Sequence, residues 1–203
     1  MSFLMIMAAT AISAPLPIKA KPAQYPTEFL TAEKSAAAVL ELVISPEGKI
    51  VQCRTLETQG DEQFAQRLCR LQNPRSWAAA TDERNAPAFG VVRNLSRMFV
   101  PETPEGDTIA KLAPLPDLEL SVSALPASVQ GRLDAKVSLW VDATGSATQC
   151  EPRPEQSVPS VYLKLACEQA RSLVKVGGVL LKGKPIPGFA IEQTIRFVAQ
   201  AKQ

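Results

Sequence analysis

The sequence contains no histidine, and this absence removes whole classes of function. Histidine is the commonest general base and a common zinc ligand, so Ser-His and Cys-His catalytic pairs are excluded. Cysteine is scarce, and none of the four cysteines has the close C-x2-4-C spacing of a zinc site. The acidic residues fall mostly in turns and at helix starts, and no close pair of them recurs. We therefore expect no enzyme activity, no cofactor and no metal.

A large excess of one charge and a long apolar run are also missing. The net charge of +2 gives no basic footprint for nucleic acid. The mostly apolar, uncharged run from Phe3 to Ala14 has 12 residues, fewer than the roughly 20 that a membrane helix needs. We interpret residues 1–20 as a signal peptide with a weak n-region; Ala9-Thr10-Ala11 is a better cleavage motif than Ala14, which proline follows. The alternative is a buried strand or helix start.

The chain reads as a tandem duplication, because the same signals occur twice in the same order. Each half has an alternating apolar strand, a glycine turn, a return strand ending in Gln-Cys, a helical run and a last strand. The matched segments are 39–53 with 137–150, 75–77 with 171–173, and 85–100 with 183–198. The sequence therefore predicts an α+β protein of two β-β-α-β units, each a small antiparallel sheet with one helix on one face. We assign residues 21–104 and 126–203 to the repeats, and 105–125 to a linker in which Leu118 to Val122 alternates like a short strand.

The cysteines occupy equivalent places in the two repeats, at the end of the return strand and inside the helix. A unit this small is marginal on its hydrophobic core alone, so a cross-link between strand and helix has an obvious use. A loop of about 17 residues gives about 3 kcal/mol in the chain-entropy model. We predict the pairs Cys53–Cys69 and Cys150–Cys167, because the other connectivities would join the repeats. A redox pair or a metal site is the competing interpretation.

The ordered set of motifs resembles the TonB C-terminal domain family, in the subgroup of exported bacterial proteins with two cysteines per domain. The resemblance covers residues 26–100 and 126–200. It rests on Asp142-Ala143-Thr144-Gly145 at a turn, Gly183-Lys184-Pro185-Ile186 before the last strand and Arg196-Phe197 at its end. Repeat one carries Pro46-Glu47-Gly48, Gln59-Gly60 and Arg75-Ser76-Trp77 in the corresponding places.

The resemblance implies a periplasmic binding or adaptor protein that contacts an outer-membrane receptor or another envelope protein by β-strand addition. It places the docking edge on the last strand of each repeat, and implies membrane association only through partners. The edge residues would be Val91, Arg93, Leu95 and Arg97 in repeat one, and Ile191, Gln193 and Ile195 in repeat two, with the arginines meeting an acidic peptide.

Two alternatives stay open at this point. The edges could pair with each other or be capped by Leu118 to Val122 or by residues 29–38. The chain would then be a disulfide-stapled structural or inhibitory envelope module with no role in TonB-dependent transport. We expect Trp77 and Trp140 to be core residues in either case.

Overall fold

The computed structural model describes residues 12–19, 24–72, 76–154 and 156–200. It is a mixed α+β protein, mostly strand, with two disulfides, which confirms the predicted class at that level. The helices are α1 (Thr27–Thr31), α2 (Glu62–Arg67), α3 (Pro104–Ala110) and α4 (Ser160–Leu173), with a 3₁₀ turn at Arg70–Gln72. The strands are β1 (Leu16–Lys19), β2 (Ala36–Ile44), β3 (Ile50–Gly60), β4 (Ser76–Ala78), β5 (Ala80–Thr81), β6 (Pro87–Ala88), β7 (Gly90–Met98), β8 (Leu118–Val122), β9 (Arg132–Asp142), β10 (Ala147–Pro152), β11 (Leu180–Leu181), β12 (Lys184–Pro185) and β13 (Gly188–Ala199).

The strands of the two halves form one continuous sheet, and this corrects the expectation of two separate small sheets. Its order is β10-β9-β13-β7-β2-β3, with β8 beside β13 as the seventh strand. The halves join where the two last strands run parallel, at Ala190 opposite Gly90 and Ile191 opposite Val91. The other main pairings, β2 with β3 and β7, and β9 with β10 and β13, are antiparallel as predicted.

The helices of the two halves lie on opposite faces of this sheet. Side chains alternate between faces along a strand, so neighbouring residues can enter different cores. Leu42 packs with Phe64 and Leu68 beneath α2, whereas the next residue, Val43, belongs to the core that contains Ala166 of α4. The two last strands are equivalent and run parallel, so the twofold axis that relates the halves lies along the strand direction. Rotation about this axis exchanges the two faces of the sheet, and the helices of the two halves therefore lie on opposite faces.

The end of the predicted signal peptide is part of the fold. Ile12 and Ala14 are buried, and Ile12 packs with Ala80 and Ala190 on the face opposite α4. Ser13 forms a β-bridge with Thr81, and β1 pairs with β4. The buried alternative therefore describes the end of the apolar run, residues 12–14, better, whereas β1 carries the exposed side chains of Leu16 and Ile18. The earlier part of the run, with Ala9-Thr10-Ala11, lies outside the described residues.

The predicted linker carries regular structure. The strand predicted at Leu118 to Val122 is confirmed as β8, and α3 precedes it, begun by Thr103, whose hydroxyl accepts the N–H of Gly106. Asp61 caps the start of α2, since its carboxylate accepts the N–H of Phe64. Arg75, one of the residues that carry the resemblance, lies outside the described residues.

The tryptophans differ in depth. Trp77 is buried in the α2 core, as predicted, while Trp140 is half-buried against the N-terminal segment. Across the described part of the chain, no helix is long and apolar enough to cross a membrane.

Candidate functional site

The two predicted disulfides are present. Cys53 is bonded to Cys69 and Cys150 to Cys167, with Cα separations of 5.7 Å and 5.5 Å. Each bond ties the return strand of one half to its helical segment, so no cysteine is left as a thiol. With all four sulfurs in disulfides, no cysteine thiolate is available to bind a metal, and within the described ranges no group of three or more His, Cys, Asp or Glu side chains is placed to hold one.

The last strand of repeat two is an interior strand, which corrects its predicted role as a docking edge. Ile191, Gln193 and Ile195 lie opposite Leu139, Val137 and Ala135 of β9. On the other flank of β13, the N–H of Ala190 donates to the carbonyl of Phe89. The backbone groups of the even-numbered β13 residues therefore point to that flank, and those of the odd-numbered residues point to β9. The three predicted docking residues therefore already have their backbone partners on β9.

The other flank of β13 is covered along its length. It pairs first with β7 at residues 190–191 and then with β8 from Ile195 to Ala199. Between them, the backbone N–H of Asp117 donates to the carbonyl of Thr194 at 2.9 Å, and the Asp117 carboxylate accepts the Thr194 N–H at 2.7 Å. Two of the three alternatives for this edge, pairing between the last strands and cover by Leu118 to Val122, therefore occur together. Residues 29–38 do not cover it, because they belong to α1, the turn after it and the start of β2.

Asp117 is a site residue that sequence reasoning missed. Loss of surrounding water raises the pKa of its carboxyl above the ordinary value, and the hydrogen bond from Thr194 opposes this rise. Its place directly before the alternating run that forms β8 was the only available signal. The residue completes the β13 ladder where neither β7 nor β8 reaches.

The last strand of repeat one keeps an open edge. Val91 is paired with β13, but from Val92 onward β7 pairs only with β2. Because the odd positions of β7 face the β13 flank, the backbone groups of Arg93, Leu95 and Arg97 point away from β2. Within the described residues, nothing bonds to those backbone N–H and C=O groups. The predicted edge of repeat one is therefore closed at Val91 and open from Arg93 to Arg97.

The two arginine side chains on this strand have hydrogen-bond partners within the chain, and their role toward an acidic peptide stays a prediction. Arg93 donates from Nε and Nη2 to Oε2 of Glu41 at 2.9 Å and 2.8 Å, and from Nη2 to the carbonyl of Val176 at 3.4 Å. Arg97 donates to the carbonyl oxygens of Ala110 and Leu112. The open edge thus offers backbone groups rather than free guanidinium groups.

Glu41 anchors the junction of the two halves. Its side chain is 1% exposed and is bound by Arg54 at 2.7 Å as well as by Arg93. Glu41 lines a cavity together with Gly178 and Val179 of the second half, and Arg93 also reaches the carbonyl of Val176. A charged residue inside the apolar run VLELVI was the sequence signal that could have identified it, because such a buried charge needs partners.

The two outer edges of the sheet are interrupted. Val51 and Leu56 of β3 have no partner on β2 because the register shifts at each of them, so both are bulge residues. The strand β10 is short, shifts register after Ala147 and ends in Pro152, which has no N–H. An added strand can pair only between such interruptions, so these two edges offer short ladders. The pairings of β7 with β2 and of β8 with β13 have no shift, so the unpaired flanks of β7 and β8 are the regular open edges in the described part of the sheet.

Comparisons with protein families, curated proteins and solved structures found no match to this chain.

Proposed function

We propose that this chain is a periplasmic TonB-like binding or adaptor protein that takes an extended segment of an outer-membrane receptor or another envelope protein as an added strand on β7. The observation that carries the proposal is the regular, unpaired edge from Arg93 to Arg97. An unpaired edge is a template for another strand, and main-chain hydrogen bonds supply much of the affinity in this mode of recognition. The two disulfides fit an oxidising compartment.

The affinity of such a site is set by backbone pairing and nearby apolar contacts. Arg93, Leu95 and Arg97 each offer one N–H and one C=O, and a hydrogen bond contributes about 0.5–1.5 kcal/mol net. Leu115, 84% exposed, lies on the segment that runs from α3 to β8 across the same flank, and offers apolar surface to a bound peptide. These terms fit a reversible, exchangeable complex.

The test replaces a backbone donor on the edge. Leu95→Pro removes an N–H that the β7–β2 pairing does not use, so the fold is expected to survive. The matched control is Thr58→Pro on β3, an outward-facing position on an interrupted edge. Binding of labelled peptides from the N-terminal segments of outer-membrane receptors is measured by fluorescence anisotropy. We expect Leu95→Pro to weaken binding by about tenfold or more, equivalent to the loss of about 1.4 kcal/mol, and Thr58→Pro to leave it unchanged. Equal affinities for the two variants would rule out β7 as the docking edge.

The second candidate is a disulfide-stapled structural or inhibitory envelope module without a role in TonB-dependent transport. The complete cover of the β13 edge favours it, because that edge is the one a strand-adding repeat would be expected to leave free. On this candidate no receptor segment binds the wild-type chain, so the same titration separates the two functions.

A further inference from the structure

A groove lies between the edge strand β10 and helix α4, remote from the β7 edge. Its volume is ≈ 380 Å³. The floor is apolar and contains the disulfide, Pro152 and Leu163. The helix residues that line it are spaced by three and four, so one face of α4 forms the wall: Ser160, Leu163, Lys164, Cys167, Glu168 and Arg171.

The strand beside this groove has free backbone groups at its centre. Arg153 donates to the carbonyl of Lys136 at 3.0 Å and Glu151 lies opposite Ser138, so odd-numbered residues of this strand face β9. The N–H and C=O of Cys150 and the C=O of Pro152 therefore point outward. Nothing in the described ranges bonds to them. The side chain of Cys150 lies on the α4 face, so an incoming strand would lie next to the groove.

We propose that this groove binds an extended peptide as an added strand on β10, with an apolar side chain over the disulfide and acidic side chains two residues before and two residues after it. In an extended peptide, side chains two apart point to the same side, so all three would face α4.

The charged side chains of the groove wall favour acidic residues on either side of the apolar residue of the peptide. Lys164 and Arg171 are exposed and, in the part of the chain that is described, form no ion pair; Glu168 is the one acidic residue of the wall. Seven residues separate the two cations, which is about 10 Å along a helix. The outer side chains of the acidic–apolar–acidic pattern are about 13 Å apart, a comparable span. The peptide therefore meets a positive charge near each end.

The first half has a corresponding strand and disulfide, but its helix and its sheet edge differ. Helix α2 has 6 residues against 14 in α4, and the β3 edge is bulged at Val51 and Leu56. The backbone N–H of Cys53 points away from β2, just as that of Cys150 points away from β9. The Cys53 amide is therefore an internal control for edge exposure without a groove.

The experiment titrates the disulfide-bonded protein with the peptide acetyl-Asp-Thr-Leu-Thr-Asp-amide, its fluorescein-labelled form, and the control acetyl-Lys-Thr-Leu-Thr-Lys-amide. The groove variant is Lys164→Glu with Arg171→Glu. The matched variant, Arg132→Glu with Lys184→Glu, makes the same change in net charge at exposed positions outside the groove. Fluorescence anisotropy gives the affinities, and amide hydrogen exchange locates the added strand.

We expect saturable binding of the acidic peptide, weakened about tenfold or more in the groove variant and less than about twofold in the matched variant. Exchange of the Cys150 amide should slow on binding while that of Cys53 does not. The proposal is overturned by absence of saturable binding at millimolar peptide, by equal weakening in both variants, or by protection at Leu95 instead of Cys150. This proposal does not depend on the β7 proposal, because the titration uses neither a variant of β7 nor a receptor segment.

Discussion

Replacing Arg93 by leucine is expected to destabilise the protein far more than replacing Arg54, although both arginines bind the same carboxylate. The Glu41 side chain is 1% exposed, that of Arg93 is 28% exposed and that of Arg54 is 60% exposed. Arg93 makes two hydrogen bonds to Oε2 and reaches the Val176 carbonyl, whereas Arg54 makes one contact to Oε1. Loss of Arg93 leaves a buried negative charge with one exposed partner.

The magnitude follows from this difference in burial. Removing one partner of a buried ion pair costs about 3–5 kcal/mol, because the remaining charge stays away from water. An exposed pair contributes about 0–1 kcal/mol. We therefore expect a loss of about 3 kcal/mol for Arg93→Leu and less than about 1 kcal/mol for Arg54→Leu. The double variant Glu41→Leu with Arg93→Leu should recover most of the loss, since it removes both buried charges.

Urea unfolding measures these differences, with the fluorescence of Trp77 and Trp140 reporting on the two halves. With a slope of about 2 kcal/mol per molar urea, a loss of 3 kcal/mol lowers the midpoint by about 1.5 M. Both tryptophans should report the same transition because the ion cluster joins the halves. Equal midpoints for the two single variants, or a double variant no more stable than Arg93→Leu, would refute the assignment of Glu41 as a buried junction charge.

Three further predictions concern stability. Replacing Cys150 and Cys167 together by serine should cost about 3 kcal/mol in urea unfolding, and an unchanged midpoint would contradict the stapling role. Gly145→Ala should cost more than Gly131→Ala: both positions have positive φ, at 85° and 76°, but a Cβ at Gly145 would lie 2.4 Å from neighbouring backbone while Gly131 has nothing within 4 Å. The strain at Gly131 alone is about 1–2 kcal/mol, so similar thermal midpoints for the two variants would be the contrary result. The hydrogen bond from Arg196 lowers the pKa of the Asp134 carboxyl. The stabilisation that this pair gives the folded state is therefore fully present above the unfolded pKa, near 3.9, and is lost as the pH falls through the lower folded pKa. The thermal midpoint of Asp134→Asn should therefore lie below that of the wild type at pH 5 and approach it as the pH is lowered below the unfolded value; a constant difference would be inconsistent with this linkage.

Local features of the fold were predictable because their causes are local. The Asp61 cap lies next to the helix that it begins, and each hairpin is set by a turn between two alternating runs. The disulfides were predictable because each closes a short loop within one repeat. Counting alternate residues along β3 puts the side chains of Val51 and Cys53 on one face of the sheet. A bulge at Val51, which has no partner on β2, breaks this alternation.

The pairing between the halves left no comparable signal. It rests on two residue pairs, Ala190 with Gly90 and Ile191 with Val91, and apolar residues at such positions suit a strand at any place in a sheet. The role of Asp117 also depends on distant chain, because its partner Thr194 belongs to another strand. Among the candidate docking residues, sequence reasoning therefore found the strands but not which of their edges are covered.

A duplicated β-β-α-β chain that pairs its last strands in parallel cannot keep two equivalent docking edges. Parallel pairing places α2 and α4 on opposite faces and makes each last strand cover part of the other. The chain between the repeats can then reach only one of them; here β8 pairs with β13, and β7 is left open beyond Val91. Among the described strands of the second repeat, β10 keeps a free edge, and α4 supplies beside it a groove that α2 is too short to form. The repeat symmetry of the sequence therefore predicts the order of the main strands and helices in each half but not which strand edges stay open, and any function by strand addition must use unlike sites in the two halves.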